Sequence, residues 1–175
     1  MMNQVVSTRY TEGDSYQAVE LQYDGRELSM VIILPEDGGF SKFESTMDNQ
    51  VLKQIIGQLR TYSVTLTMPK FKYESSFGLK DALSSLWMQT AFSDTADFSG
   101  MDGQRDLFIQ DVLHKAFVSV DEAGTEAAAA TAVLVGTTSM PESATMMINR
   151  PFIYLIRDNA TGSIIFLGRV MDPTK

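Results

Sequence analysis

Apolar and polar residues change their period several times along this chain, and the changes mark its elements. Residues 1–15 are polar and mixed, with short extended stretches around Val5–Tyr10 and a turn signal at Glu12-Gly-Asp14. Ala18, Glu20 and Gln22 then alternate with Val19, Leu21 and Tyr23, Asp24-Gly25 supplies a two-residue turn, and Leu28–Leu34 returns as an almost continuous apolar run. This pattern predicts a hairpin whose second strand is deeply buried. Pro35 stops that strand, and Phe40–Met47 is compatible with a short helix. Asp48 reads as an N-cap, because Val51, Leu52, Ile55, Ile56 and Leu59 behind it follow helical spacing to an end near Arg60.

In Tyr62–Met68 the period switches to two, Pro69 breaks the run, and Lys70-Phe-Lys-Tyr73 resumes in extended form before Ser75-Ser76, as for one strand handed between two sheets. Leu79, Ala82, Leu83 and Leu86 predict another short helix over Leu79–Met88, with Trp87 as a core or rim residue near its end. Asp94–Gly103 is an acidic, glycine-bearing loop, and Asp106–Glu122 reads as one long strand. A last hairpin joins Ile153–Ile156 to Ile164–Val170 through Asn159-Ala-Thr-Gly162. The expected class is α+β, mainly antiparallel strands with about three short helices, without βαβ alternation, glycine-rich phosphate loops or internal repeats.

The stretch Glu122-Ala-Gly-Thr-Glu-Ala-Ala-Ala-Ala-Thr131 reads two ways. Its alanines favour a helix or linker. Thr125, Ala127, Ala129 and Thr131 also alternate with Glu126, Ala128 and Ala130 at strand period, and a strand free of bulky side chains can slip between strands already in place. Gly124 would let the backbone turn where such a strand begins. Val133–Glu142 follows with mixed polarity and no period, a run of small residues that a protease could bind in extended form.

A chain of 175 residues is long enough for one domain with its own core. The net charge of −8 and the absence of a Lys/Arg cluster argue against a nucleic-acid surface. The longest apolar run, Met30–Leu34, is far shorter than a membrane span, and the start lacks the pattern of a secretory leader. With no cysteine there is no disulfide framework or thiolate metal site, and the redox compartment stays open. The eleven methionines are scattered, as gap-fillers of a core are. The single histidine, His114, lies in the long apolar strand with Asp111 on its opposite face, so no dyad forms locally. It reads as a buried, hydrogen-bonded structural residue, and the chain as a non-enzyme that needs neither cofactor nor metal.

Several of these motifs, in order along the whole chain, resemble the serpin superfamily. The hinge Asp121–Thr131, Leu113-His-Lys-Ala-Phe117 before it, Leu66-Thr-Met-Pro-Lys-Phe71, Arg150-Pro-Phe-Ile-Tyr-Leu-Ile-Arg157 and Gly162–Pro173 carry the resemblance. It implies a single serpin-like domain over 1–175, with hinge and reactive-centre loop at 123–142. The implied activity is inhibition of a serine protease as a suicide substrate: the loop is cleaved, and the hinge Gly124, Thr125, Glu126, Ala127, Ala128, Ala129, Ala130 and Thr131 inserts into the large sheet with the acylated protease attached. Family spacing puts the reactive bond at Thr138–Ser139, within one or two residues, and the small and β-branched residues before it suit an elastase-like or subtilisin-like target, with a cysteine protease as a further class. Glu122 is expected to pair with Lys70, and His114 to lie where the sheet parts, both as conformational controls. The chain is expected to begin near the family's midpoint, as a C-terminal portion. The full-length molecule would be monomeric, with loop–sheet polymers or association with an N-terminal half as its other states. An extracellular location is implied, with the cytoplasm open. Two alternatives stand beside inhibition: a non-inhibitory carrier or chaperone, and an inactive piece that self-associates through exposed strand edges.

Overall fold

The computed structural model describes residues 1–121 and 142–173. They form two compact units, one from residues 1–71 with the described residues from 120 onward, the other from 72–119.

The first unit is a seven-stranded sheet flanked by two helices. Its strands are β1 (Met2–Gly13), β2 (Tyr16–Gln22), β3 (Leu28–Pro35), β4 (Arg60–Met68), β7 (Ser143–Met147), β8 (Phe152–Asp158) and β9 (Ile164–Val170), in the order β7-β4-β1-β2-β3-β8-β9. All neighbours are antiparallel except β4 and β7, which run parallel with Ser63 opposite Ser143 and Thr67 opposite Met147. The predicted β2–β3 hairpin is present, but its turn is wider than two residues. The Tyr23 N–H donates to the Leu28 carbonyl at 3.0 Å, and Gly25 and Arg26 both take positive φ between them. The first strand is longer than the sequence pattern implies, because its inward positions include polar Gln4 and Thr8 as well as Met2 and Tyr10.

Val31, Ile32, Ile33 and Leu34 of β3 are fully buried, as the apolar run requires, and each such side chain contributes about 2 kcal/mol of transfer free energy. Val31 and Ile33 join Ala18, Ile153 and Leu155 on the sheet face covered by α1 (Phe40–Thr46) and α2 (Asn49–Gln58), which supply Phe40, Phe43, Leu52 and Ile55. Asp48 caps α2 as predicted: its carboxylate accepts the Val51 N–H at 2.8 Å, an interaction worth about 1 kcal/mol.

In the second unit, β5 (Phe71–Gly78) pairs with β6 (Leu113–Val120) as a separate two-stranded sheet. The handover after Pro69 is therefore real, with β4 and β5 in different sheets, and β5 runs on through Ser75-Ser76. The long strand expected from Asp106 does not form. Residues 106–112 are irregular, Leu107 and Phe108 are exposed, and the Asp111 carboxylate turns back to accept the Val112 N–H at 2.7 Å. The helix expected over Leu79–Met88 is cut short as well. Helix α3 (Lys80–Leu83) widens at Ser84–Met88, where Leu86 and Trp87 leave helical geometry. Trp87 takes φ +73° and is 89% exposed, so it is neither core nor rim. The acidic loop contains one further turn of helix, α4 (Ser99–Asp102).

Candidate functional site

Segment 122–141 carries most of the expected site: Glu122, the hinge Gly124, Thr125, Glu126, Ala127, Ala128, Ala129, Ala130 and Thr131, and the bond Thr138–Ser139. All lie outside the described residues. What the structure gives is the pair of strands the segment joins. β6 ends at Val120 in the two-stranded sheet, and β7 begins at Ser143 in the seven-stranded one. The far anchor is firm: the Ser63 N–H donates to the Glu142 carbonyl at 2.9 Å and the Ile148 N–H to that of Thr67 at 2.8 Å. Among the described residues β6 pairs with β5 alone, so its other side is a sheet edge.

Lys70 occupies the corner between β4 and β5 and is exposed. His114 lies on β6 with its ring 5.2 Å from that of Phe77, tilted by 50°. The expectation that it is buried is not met. A strand with one neighbour in a two-stranded ribbon leaves side chains on both faces open to solvent, and His114, Leu113 and Phe117 are all exposed. Asp111 is engaged with its own backbone neighbour rather than with His114. No cluster of three or more His, Asp or Glu side chains able to hold a metal occurs among the described residues. A polar cleft of about 380 Å³, lined by Glu12, Asp14, Tyr16, Gln17, Glu36 and Arg150, opens beside the turn between β1 and β2.

The densest polar constellation was not singled out from sequence. Glu20 of β2 is fully buried on the helix-covered face. Its carboxylate accepts Arg9 Nη1 at 2.8 Å, Ser29 Oγ at 2.9 Å, and Arg157 Nη2 and Nε at 2.7 and 3.2 Å. Thr8 donates to the Glu20 carbonyl. Burial alone would oppose ionisation of Glu20, but the hydrogen bonds from Arg157 and Ser29 and the charges of Arg157 and Arg9 outweigh it, and its pKa is lowered. Arg9 also reaches the Leu59 and Ile56 carbonyls at 3.3 and 3.5 Å, where α2 ends with acceptors its own turns cannot satisfy. One buried carboxylate thus ties β1, β2, β3 and β8 to the end of α2. The available signal was a charge in phase with Ala18 on an otherwise buried strand. On β1, burial and a hydrogen bond to Glu12 push the Tyr10 phenol up to about 12.

The described strands also hold the two halves of the C-terminal motif, Arg150–Arg157 and Gly162–Pro173, in the β8–β9 hairpin. Gly168 lies over Tyr154 so closely that a Cβ would stand 2.5 Å from the phenol oxygen.

Comparison with known proteins identifies the architecture. The family model for "Serpin (serine protease inhibitor)" matches residues 1–173. An uncharacterized serpin-like protein of Thermococcus kodakarensis is 43% identical over 99% of this chain and 41% of its own length. Human leukocyte elastase inhibitor is 41% identical over 94% of this chain and 45% of its own. Among solved structures, human thyroxine-binding globulin complexed with thyroxine superposes with a TM-score of 0.80 at 31% identity, covering 99% of this chain and 46% of that one. The chain therefore spans less than half the length of the relatives it matches. With its α+β architecture, its mixed sheet and a family match running from the first residue to Pro173, this chain belongs to the serpin family.

Proposed function

We propose that the protein containing this chain inhibits a serine protease of the elastase-like or subtilisin-like type, as a suicide substrate cleaved at Thr138–Ser139. The observation that supports this reading is the link that segment 122–141 makes between strands of two different sheets. A stretch of small residues connects β6, whose second edge is unpaired among the described residues, to β7 in a different sheet, so the N-terminal part of that stretch can pair alongside β6 once the connection to β7 is cut. The side chains of Thr125, Ala127, Ala129 and Thr131 are small enough to enter a packed sheet, and Glu126 falls on the other, solvated face. The name of the human leukocyte elastase inhibitor supports the target class. Glu122 and Lys70 form an ion pair that steadies the join in this account, and Glu122→Lys places like charges there, slows closure and favours loop–sheet polymers on native gels. The test is incubation of the protein, in the longest form its gene encodes, with elastase and subtilisin. A detergent-resistant complex of the summed mass supports inhibition; clean turnover of the loop without complex would falsify it.

A second reading has its own observation. β9 is an edge strand that exposes Ile165 (52%) and Leu167 (59%), and such edges pair readily with other chains. On this reading the 175-residue chain is an association module, for an N-terminal half or for its own kind. Size-exclusion of the chain with and without a supplied N-terminal half separates it from the first.

A further inference from the structure

The two described ends of segment 122–141 stand at unequal distances from the proposed cleavage point. Asp121 is seventeen positions before Thr138, whereas Glu142 is three positions after Ser139. Three trans peptide units span at most about 11 Å, so the C-terminal flank is the short tether. What holds Glu142 therefore limits where a bond at Ser139 can stand.

The backbone here is held from more than one direction. The Glu142 carbonyl accepts the Ser63 N–H at 2.9 Å, where the parallel pairing of β4 and β7 begins. Met146 in β7 and Ile148 just beyond it are fully buried, which fixes the strand although β4 is its one sheet neighbour among the described residues. From another side, Gln17 Nε2 donates to the Thr145 carbonyl at 3.2 Å and to the Tyr10 hydroxyl at 2.8 Å. Since β2 stands three places from β7 in the strand order, the sheet folds back over itself at this point.

The Glu142 side chain is held as well. Its carboxylate accepts the Tyr62 hydroxyl, and that bond, together with the carboxylate's charge, pushes the pKa of the phenol up. The Tyr62 ring rests edge-on against that of Tyr10, with 5.4 Å between centres and 67° between planes. Tyr10 is 2% exposed and donates its own hydroxyl to Glu12 at 2.8 Å, so the phenol that grips Glu142 has a fixed base. Glu142 is exposed, and a hydrogen bond in water adds little to folding stability. Its effect is on orientation.

We infer that Tyr62 is a positioning residue for the proposed inhibition: its hydroxyl, seated on Tyr10, orients Glu142 and with it the C-terminal flank of the bond that the protease attacks. This rests on the inhibitory reading and adds to it that a preset flank speeds the encounter, because the protease then has less chain to order for itself. Insertion of the hinge takes place on the other side of the cut, so the branch between trapped complex and cleaved product is left as it was.

The test mixes elastase with the protein in the longest form its gene encodes and reads two quantities: the second-order rate of complex formation and, on a denaturing gel, the ratio of complex to cleaved product. Tyr62→Phe keeps the ring on Tyr10 and removes the hydroxyl. It is expected to slow complex formation about threefold to tenfold at an unchanged ratio. Glu142→Ala should do the same, while Glu142→Gln, which still accepts the phenol's hydrogen, should restore the parent's rate. A parent-like rate for Tyr62→Phe, an altered ratio, or equal slowing by Glu142→Gln, which would make charge the cause, each overturns the inference. If the parent is cleaved without forming complex, the inhibitory reading alone fails; positioning is then read from the rate of loop cleavage, which Tyr62→Phe must still slow, and equal cleavage rates overturn it too.

Discussion

Glu20→Gln tests the buried centre of the sheet, and its cost can be worked from the contacts. Glu20 is fully buried, Arg157 is 13% exposed and Arg9 is 39% exposed. Glutamine keeps the shape and one acceptor but removes the charge. Arg157 cannot be rehydrated where it stands, and removing one partner of a buried ion pair costs about 3–5 kcal/mol. Arg9 reaches water, so its share is about 0–1 kcal/mol. Because glutamine still accepts one hydrogen bond, worth about 1 kcal/mol, the expected loss is about 3 kcal/mol. Denaturant unfolding of parent and variant, followed by circular dichroism and fitted with a common slope, measures it. The sign with pH is a second check. The folded pKa of Glu20 lies below its ordinary value of 4.5, so its contribution is complete above that value and fades as the pH falls through the folded pKa. The gap between parent and variant should therefore narrow in acid. A loss under about 1 kcal/mol, or a gap that widens in acid, would refute the role given to this carboxylate.

Gly168→Ala forces a methyl against the buried Tyr154 ring and should cost about 1–3 kcal/mol in the same unfolding assay. Trp87→Gly removes little packing and relieves the left-handed strain, so thermal melting should show a gain of about 1 kcal/mol. The Tyr10 phenol, raised to about 12, holds its proton more tightly in the folded state; its contribution is complete below the ordinary value of 10.0 and disappears as the pH rises through the folded value. Tyr16, Tyr23 and Tyr62 are raised as well, so ultraviolet titration should show several late phenols, and Tyr10→Phe should remove the step near 12. Under the proposed inhibition, Thr131→Arg would put a large charge on the side of the hinge expected to insert, and the outcome expected is a fall in complex and a rise in cleaved product on a denaturing gel.

What could be read from sequence follows the physics of each element. The β2–β3 hairpin and α2 were legible because their patterns are dense and local, with β3 apolar throughout and Asp48 ahead of a clean helical period. The full length of β1 was not, since Gln4 and Thr8 point inward among apolar residues. β7 was missed because five residues pairing in parallel with a strand far away in sequence leave no local trace. Leu107 and Phe108 looked like strand and are exposed loop, since apolar content alone cannot distinguish the two. Leu86 continued the helical period of α3 while its backbone did not, which hid the exposure of Trp87. At the candidate site, the motifs led to the family, while the exposure of His114 follows from the width of the sheet that holds it and Glu20 was concealed in an ordinary alternation.

Suicide-substrate inhibition stands or falls on where the loop is cut and what remains attached. Mass spectrometry of the protein after reaction with elastase measures both together. The expected products are a released peptide beginning at Ser139 and the protease serine esterified to Thr138, with the bond shifted by no more than two residues. Cleavage elsewhere in the chain, or cleavage at that bond with all of the protease recovered free and active, would contradict it.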